Sequence, residues 1–178
     1  MPKQLLEFNG NILINIIGKI ASGCDVKEIV CVLGANSEEI KSRIAFSNIK
    51  IIYAEEWQNG INESIKVGLN YFREDINSIL FLLCDQYAIS TDLLNKIIAK
   101  SIENPEHIIA CKYSEGFGIP ALFPKKYFSE INNLGKDIGC KKIIKNNLDN
   151  IVFIDFYDGY LDIDTLDDYE SAKLLLIN

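Results

Sequence analysis

The stretch Ser78-Ile79-Leu80-Phe81-Leu82-Leu83-Cys84-Asp85-Gln86 constrains the fold more than any other part of the chain. An unbroken apolar run of this length is too short for a typical helix. Bounded by polar residues, it predicts a strand buried on both faces, as in a parallel sheet. The run ends in Asp85, which places a carboxylate just past a strand end, where open α/β sheets bind ligands. A carboxylate that only caps the next turn accounts for the same residues, so the run by itself leaves both readings open.

The flanking sequence alternates helix and strand patterns. Ile12, Leu13, Ile16, Ile17 and Ile20 recur at helical spacing and stop near Gly23; Ile29–Leu33 reads as a strand closed by Gly34. Ser37, followed by Glu38 and Glu39, is the expected N-cap of a short helix to about Arg43. Ile49–Tyr53 is a further strand. From Gly60, Ile61, Ile65, Leu69 and Phe72 fall on one helical face. Beyond the central run, residues 91–98 read as a helix and His107–Cys111 as a strand.

This alternation, with short connections, predicts an α/β fold with a mostly parallel sheet. After Tyr113 the rhythm breaks. Gly116, Gly118 and Pro120 predict a loop before a short strand, Ala121–Phe123, and a helix from about Lys125 to Asn133. Leu134–Gly139 reads as a loop opening a helix to about Asn146, and Ile151–Phe156 as a strand. Thr165, three residues before Asp168, resembles a capping box that starts a terminal helix to Leu176. No repeat, low-complexity tract or linker interrupts the 178 residues, so a single domain over 1–178 is expected.

Composition narrows the function. With 48% hydrophobic and 24% charged residues, the chain reads as an ordinary globular domain. No apolar run reaches the roughly 18 residues that span a bilayer, and no signal peptide is seen, so no membrane partner and a cytoplasmic location are expected. Five cysteines, widely spaced and without a CxxC pair, predict buried reduced thiols. One histidine, His107, and no GxSxG motif argue against hydrolytic nucleophilic catalysis.

The formal charge of −7 argues against nucleic acid as a partner. It also constrains any phosphate ligand. A carboxylate about 4 Å from a polyphosphate is repelled by roughly 1–4 kcal/mol, so an acidic nucleotide-binding chain needs a divalent cation between them, with Mg²⁺ on oxygen ligands the expected one.

Six stretches carry residues suited to such chemistry. In Pro2–Leu6, Lys3 can offset phosphate charge, or it is a surface lysine. In Trp57–Ser64, Gly60 starts a helix and Ser64 follows on its first turns, where free N–H groups can hold an anion or a base edge; the structural alternative makes Trp57 core filler and Gly60 a turn. Asp85 and the Asp162/Asp164 pair can meet as metal ligands from two strand ends. In an extended segment positions i and i+2 share a face, so one can face the site while the other caps the helix with Thr165. Capping accounts for Asp164 or Thr165 but not for Asp162. Gly118–Phe123 and Gly135–Gly139 read as loops that bring backbone close to a ligand.

Taken together in this order, Pro2–Leu6 (PKQLL), Trp57–Ser64 (WxxGxxxS), Leu83–Gln86 (LxDQ), Gly118–Phe123 (GxPxLF), Lys136–Gly139 (a GDxG-like loop) and Asp162–Asp168 (DIDTxxD) resemble the MobA-like nucleotidyltransferases, closest to the molybdenum-cofactor cytidylyltransferase branch. The resemblance spans essentially the whole chain. It implies a Rossmann-like three-layer α/β/α fold that transfers a nucleotidyl group, CMP from CTP ahead of GTP, to a phosphorylated acceptor such as the molybdopterin cofactor, with pyrophosphate leaving. It also implies Mg²⁺ bound by Asp85 and Asp162, and Lys3 at the triphosphate. Gly60 and Ser64 would contact base or ribose, and Gly118, Pro120 and Asp137 would shape the acceptor side. A molybdoenzyme or chaperone is an implied partner. Positioning and charge neutralisation dominate such a reaction, which suits a chain with one histidine.

Departures qualify the resemblance. Tyr87 follows Gln86 where the family usually has proline, and Lys136-Asp137 replaces Gly-Asp. The strand and glycine-rich LAAGxSxRxG loop that precede PKQLL in the family are absent, so a truncated or misassigned start is expected, with neighbouring strands left unpaired. The competing expectation is a non-catalytic binding or scaffold domain of the same fold. A response-regulator-like receiver fits less well, because of the Gly/Pro-rich segment after Tyr113.

Overall fold

A computed structural model describes residues 1–72, 76–163 and 165–176. A short hairpin opens the chain, β1 (Glu7–Phe8) against β2 (Asn11–Ile12). Its two turn residues, Asn9 (φ 49°) and Gly10 (φ 78°), are both left-handed. That is the turn whose twist matches paired strands, and Asn-Gly is its favoured sequence. Helix α1 (Leu13–Ser22) follows, burying Leu13, Ile14, Ile17 and Gly18 on one face. A Cβ at Gly18 would overlap the ring of Phe46, so close approach explains the glycine.

Strand β3 (Val30–Leu33) pairs in parallel with β4 (Lys50–Tyr53), Val30 opposite Lys50 and Leu33 opposite Tyr53; α2 (Ser37–Ser42) connects them. Ser37 is the first helical residue rather than the cap. The capping position belongs to Asn36 at φ 56°, and no side chain accepts there. Helix α3 (Ile61–Tyr71) leads to β5 (Ser78–Phe81), and α4 (Thr91–Glu103) begins where Ser90 Oγ accepts from the Leu93 N–H at 3.2 Å. The remaining elements are β6 (Ile108–Lys112), β7 (Phe117–Pro124), α5 (Phe128–Asn132), α6 (Lys141–Asn146), β8 (Ile151–Asp155) and α7 (Leu166–Leu176).

Strands β5, β7, β6 and β8 form one sheet in that order. β6 and β8 are parallel, while β7 runs against both β5 and β6. The expected Rossmann-like α/β architecture is present, with β7 as a reversed strand inside it. Among the described residues, β3–β4 is a separate ladder, and β5 pairs with β7 alone. A cleft lined by residues of both β3 and β5 lies between the two ladders.

Side-chain alternation along β6 and β7 shows why helices cover both faces. Ile109, Cys111 and Leu122 join Leu13, Ile17, Leu94 and Ile97 of α1 and α4 in one cluster. Ile108, Ala110, Ala121 and Phe123 point into the other, with Leu69, Ile131, Ile143 and Ile144 of α3, α5 and α6. Successive strand residues face opposite sides, so each strand feeds both cores. The chain ends are fastened together: Tyr169 of α7 donates its O–H to the Glu7 carbonyl at 2.6 Å and packs edge-on against Phe8.

Three local expectations are corrected. The Gly/Pro-rich stretch from Gly116 is not a loop up to Pro120, because β7 already starts at Phe117 and contains Gly118 and Pro120. Its register to β6 jumps from Ala121↔Ala110 to Gly118↔Cys111. Ile119 and Pro120 therefore bulge out of the ladder, where a residue without an N–H costs no strand hydrogen bond. Within residues 78–83 only Ile79 is buried; the cleft beside β5 leaves the others partly open. Ile61 is 48% exposed, so the expected face of α3 reaches the core only from Ile65 on: Ile65, Leu69 and Phe72 pack into the second cluster, and Asn62 and Gly68 are buried beside them.

No described helix is long and apolar enough to cross a membrane. All five cysteines are free. Burial pushes the thiols of Cys111 and Cys140 up to about 12 and Cys31 to about 11. Cys84 also reaches about 12, through burial first and then the negative charge of Asp85.

Two outcomes follow for stability. Leu94→Ala, at a fully buried position, should lower unfolding free energy by about 2–5 kcal/mol in urea titration. Ile102→Ala, at a site 77% exposed, should stay within about 0.5 kcal/mol. The buried thiols add a pH dependence. Their folded values lie above the ordinary 9.0, so the unfolded chain loses these protons first. Their contribution is complete below pH 9 and is lost as pH rises towards 12. The urea midpoint under reducing conditions should fall over that range, and less steeply in Cys140→Ala.

Candidate functional site

The cleft between the two ladders encloses about 1750 Å³, and Lys3, Gly60, Ser64, Asp85, Gly118 and Asp162 all line it. Each reaches it by a different local device. Lys3 stands on the single helical turn 3–5, pinned by fully buried Leu5, whose N–H donates to the Pro2 carbonyl at 3.0 Å. Asp85 follows β5 in a tight turn closed by the Tyr87 N–H to the Asp85 carbonyl at 3.1 Å. Gln86 and Tyr87 are buried, which leaves Asp85 as the more open residue of that turn. Lys3 Nζ lies 3.8 Å from Asp85 Oδ2. Both side chains are about a third or more exposed, so the pair is worth no more than about 1 kcal/mol.

Gly60 precedes α3 at φ 112°, a conformation that side chains disfavour. A Cβ there would also lie 2.8 Å from the Asp137 backbone nitrogen and 3.0 Å from Asn62 Oδ1. The glycine thus lets the Asp137 loop close against the start of α3. Asp137 itself is exposed, left-handed at φ 56°, and outside the cleft lining. Ser64 sits on the second turn of α3 and faces the cleft. Trp57, weighed above as core filler, is 41% exposed at the cleft mouth and packs on Gly34, where a Cβ would lie 2.8 Å from Trp57 Cβ.

On the other side stands a polar network that the sequence did not single out. Gln86, 3% exposed, donates from Nε2 to Tyr113 Oη at 3.2 Å and to the Gly159 carbonyl at 2.9 Å. Tyr113 in turn donates to the Ile119 carbonyl, the residue bulged out of β7. Burial pushes the Tyr113 hydroxyl up to about 12, so it stays protonated as a donor. A Cβ at Gly118 would lie 2.6 Å from Tyr113 Oη, and one at Gly159 would overlap the ring; the two glycines form the slot for Tyr113. Pro120, next to them, is buried in β7 and does not line the cleft.

Asp162 arrives after the turn at residues 157–160, with its N–H donating to the Tyr160 carbonyl at 3.1 Å. Asp164 lies outside the described residues. The capping box is present: the Thr165 N–H donates to Asp168 Oδ2 at 2.7 Å, and the Asp168 N–H to Thr165 Oγ1 at 3.2 Å. Helix capping therefore uses Thr165 and Asp168 and leaves Asp162 to the cleft. Among the described residues no three His, Cys, Asp or Glu side chains cluster as a complete metal site. Asp85 and Asp162 are two hard oxygen donors in one cleft, a set that suits a cation completed by phosphate oxygens and water. His107 is not among the lining residues, and the Cys84 thiol is held protonated.

Signals for the missed residues were uneven. Gln86 lies inside the LxDQ stretch, which gives it no separate role, and Tyr113 marks only the end of the regular helix and strand pattern. Gly159 had no signal, since only the folded chain brings it to Tyr113.

Comparison with known proteins bears on the fold and the family. Rv0371c of Mycobacterium tuberculosis, solved in complex with manganese, superposes with a TM-score of 0.85 at 23% identity, covering 97% of this chain and 92% of that one. A nucleotidyl transferase from Methanothermobacter thermautotroptrophicus gives 0.82 at 16% identity, covering 98% and 85%. Nicotine blue oxidoreductase of Paenarthrobacter nicotinovorans is 28% identical over 115 residues, 64% of this chain and 54% of that protein. The match thus spans about half of that relative's length. The sequence matches the MobA-like NTP transferase domain over residues 1–151, and the chain belongs to this family of nucleotidyltransferases.

Proposed function

We propose that this protein transfers a nucleotidyl group, CMP from CTP, to a phosphorylated acceptor of the molybdopterin type and releases pyrophosphate, with Mg²⁺ as the required cation. The observation that carries this reading is the pairing of Lys3 with Asp85 at 3.8 Å in a cleft that Asp162, Gly60 and Ser64 also line. In the reaction an acceptor phosphate oxygen bonds to the α-phosphorus of the triphosphate, and the bond from that phosphorus to the β-bridging oxygen breaks. Asp85 and Asp162 would hold Mg²⁺, which when bound neutralises charge on the phosphates. Lys3 would turn from Asp85 to the triphosphate, an exchange that a weak, partly exposed pair permits.

The start of α3 offers the positive end of the helix dipole to the nucleotide, with Ser64 as a hydroxyl partner, while the Gly60 N–H is spent on the Trp57 carbonyl at 3.1 Å and Gly60 acts by leaving room for the ligand. Gly118 belongs to the acceptor side through its place on β7. Pro120 acts there through shape, as part of the β7 bulge, whereas Asp137 closes its loop on Gly60 and so shapes the nucleotide side. No side chain in this arrangement needs to act as a nucleophile, which agrees with a cleft without histidine and with a protonated Cys84.

Calorimetric titration should show CTP binding that requires Mg²⁺ and is tighter than GTP binding. Absence of any Mg²⁺-dependent nucleotide binding would overturn the proposal. Asp85→Ala should lower turnover by at least about 10²-fold, equivalent to about 2.7 kcal/mol, at unchanged thermal stability. An unchanged rate would remove Asp85 from the site.

A further inference from the structure

Trp57 is the sole tryptophan of the chain, and folding leaves it 41% exposed at the cleft mouth. An indole gains more from being covered than most side chains do. Among the described residues no aromatic ring or cation stacks on it, and its indole N–H has no protein acceptor. Single exposed aromatics are common on surfaces, but this one stands in a cleft and is held there. The Trp57 N–H donates to the Ala54 carbonyl at 3.3 Å, and the Trp57 carbonyl accepts from the Gly60 N–H at 3.1 Å. The base of the side chain rests on Gly34, where a Cβ would lie 2.8 Å from Trp57 Cβ and 3.2 Å from Cγ. Gly34, having no side chain, seats the indole without burying its ring.

Position and charge select what can cover that ring. Gly34 follows β3, Trp57 follows β4 and Asp85 follows β5, so all three stand at carboxyl ends of strands, with the cleft between the first ladder and Asp85. Gly60 and α3, the nucleotide side of the cleft, come directly after Trp57. Glu55 and Glu56, both exposed, immediately precede it. Their charges repel a phosphate but not an uncharged ring. Phosphates are drawn instead towards Lys3 and a cation on Asp85 and Asp162. A nucleotide lying across the cleft therefore turns its base, not its phosphates, to the indole. Every nucleobase has a flat π-face on which an aromatic side chain can stack.

We propose that the Trp57 indole stacks on the base of the substrate nucleotide and holds it at the carboxyl end of β3. The assignment rests on the nucleotidyl-transfer reading above. Stacking is indifferent to the identity of the base, so Trp57 adds affinity for the nucleoside part of any triphosphate and does not choose between CTP and GTP.

The test titrates CTP, or tripolyphosphate as a probe with phosphates and no base, into the full chain with Mg²⁺ and without acceptor. CTP should change the fluorescence of the sole tryptophan along the isotherm that calorimetry reads, and tripolyphosphate should leave it unchanged. Trp57→Leu should weaken CTP binding at least about tenfold, whereas Trp57→Phe, which keeps an aromatic face, should stay within about threefold of wild type. CTP affinity unchanged in Trp57→Leu overturns the assignment, as does equal weakening in Trp57→Leu and Trp57→Phe. Should Trp57→Leu fail to fold, wild-type fluorescence decides: no response to CTP, or an equal response to tripolyphosphate, overturns the stacking. Wild-type CTP binding that survives in Trp57→Leu leaves nucleotidyl transfer standing; a wild type that binds no CTP ends both.

Discussion

Double burial of β6 organises the molecule. Ile108, Ile109, Ala110 and Cys111 are all fully buried, and because strand residues alternate, two face each side of the sheet. Neither face can then be left to water, so α1 and α4 cover one and α3, α5 and α6 the other. This layering fixes where chemistry can occur. With both faces occupied, polar side chains converge at strand ends and in the opening between ladders, and that is where Lys3, Asp85 and Asp162 are found.

The reversed strand β7 couples this frame to the site. It lies between β5 and β6, so its conformation is held from both edges. The register jump excludes Ile119 and Pro120 from pairing and frees the Ile119 carbonyl for Tyr113. Had β7 remained in register, that carbonyl would have been committed to the ladder and Tyr113 would have lacked its acceptor. The buried Gln86 amide, and through it the segment just after Asp85, is therefore tied to an irregularity two strands away in the chain order. A substitution that repaired the ladder would disturb the site.

Much of the frame was legible in the sequence because hydrophobic spacing reports it directly. The strand that starts at Ser78, the stop at Gly23 and the Thr165/Asp168 box all appear where the pattern places them, although that strand ends at Phe81 and buries only Ile79. What could not be read depends on partners distant along the chain. Gly118 and Pro120 suggest a loop by local propensity, and only pairing on both edges with a bulge keeps them in a strand. Ile61 looks apolar enough to be buried, yet Asn62 and Gly68 are the residues buried beside Ile65 and Leu69 of α3, Gly68 against Val32 of β3. Of the candidate site, the acidic and glycine positions were visible as motifs. The Gln86–Tyr113–Gly159 network was not, since its members are up to 73 residues apart.

Lys3 and Asp85 illustrate why proximity in a site need not mean strength. At 3.8 Å and in partial contact with water, the pair contributes little to the fold. A tighter, buried pair would be costly to separate, since each charge would lose its partner in a poorly polarisable medium. The open geometry avoids that barrier: either charge can take up a new partner while the other stays hydrated. Compare the Gln86 amide, buried and locked by two donated bonds, which cannot change orientation without orphaning Tyr113 or Gly159. The cleft thus sets an open charge pair directly beside a rigid hydrogen-bonding group, Asp85 and Gln86 being consecutive residues of one turn. The first can lose its partner at little cost because water takes the partner's place, whereas the second keeps its orientation only while both of its acceptors stay where the β7 bulge and the turn at 157–160 put them.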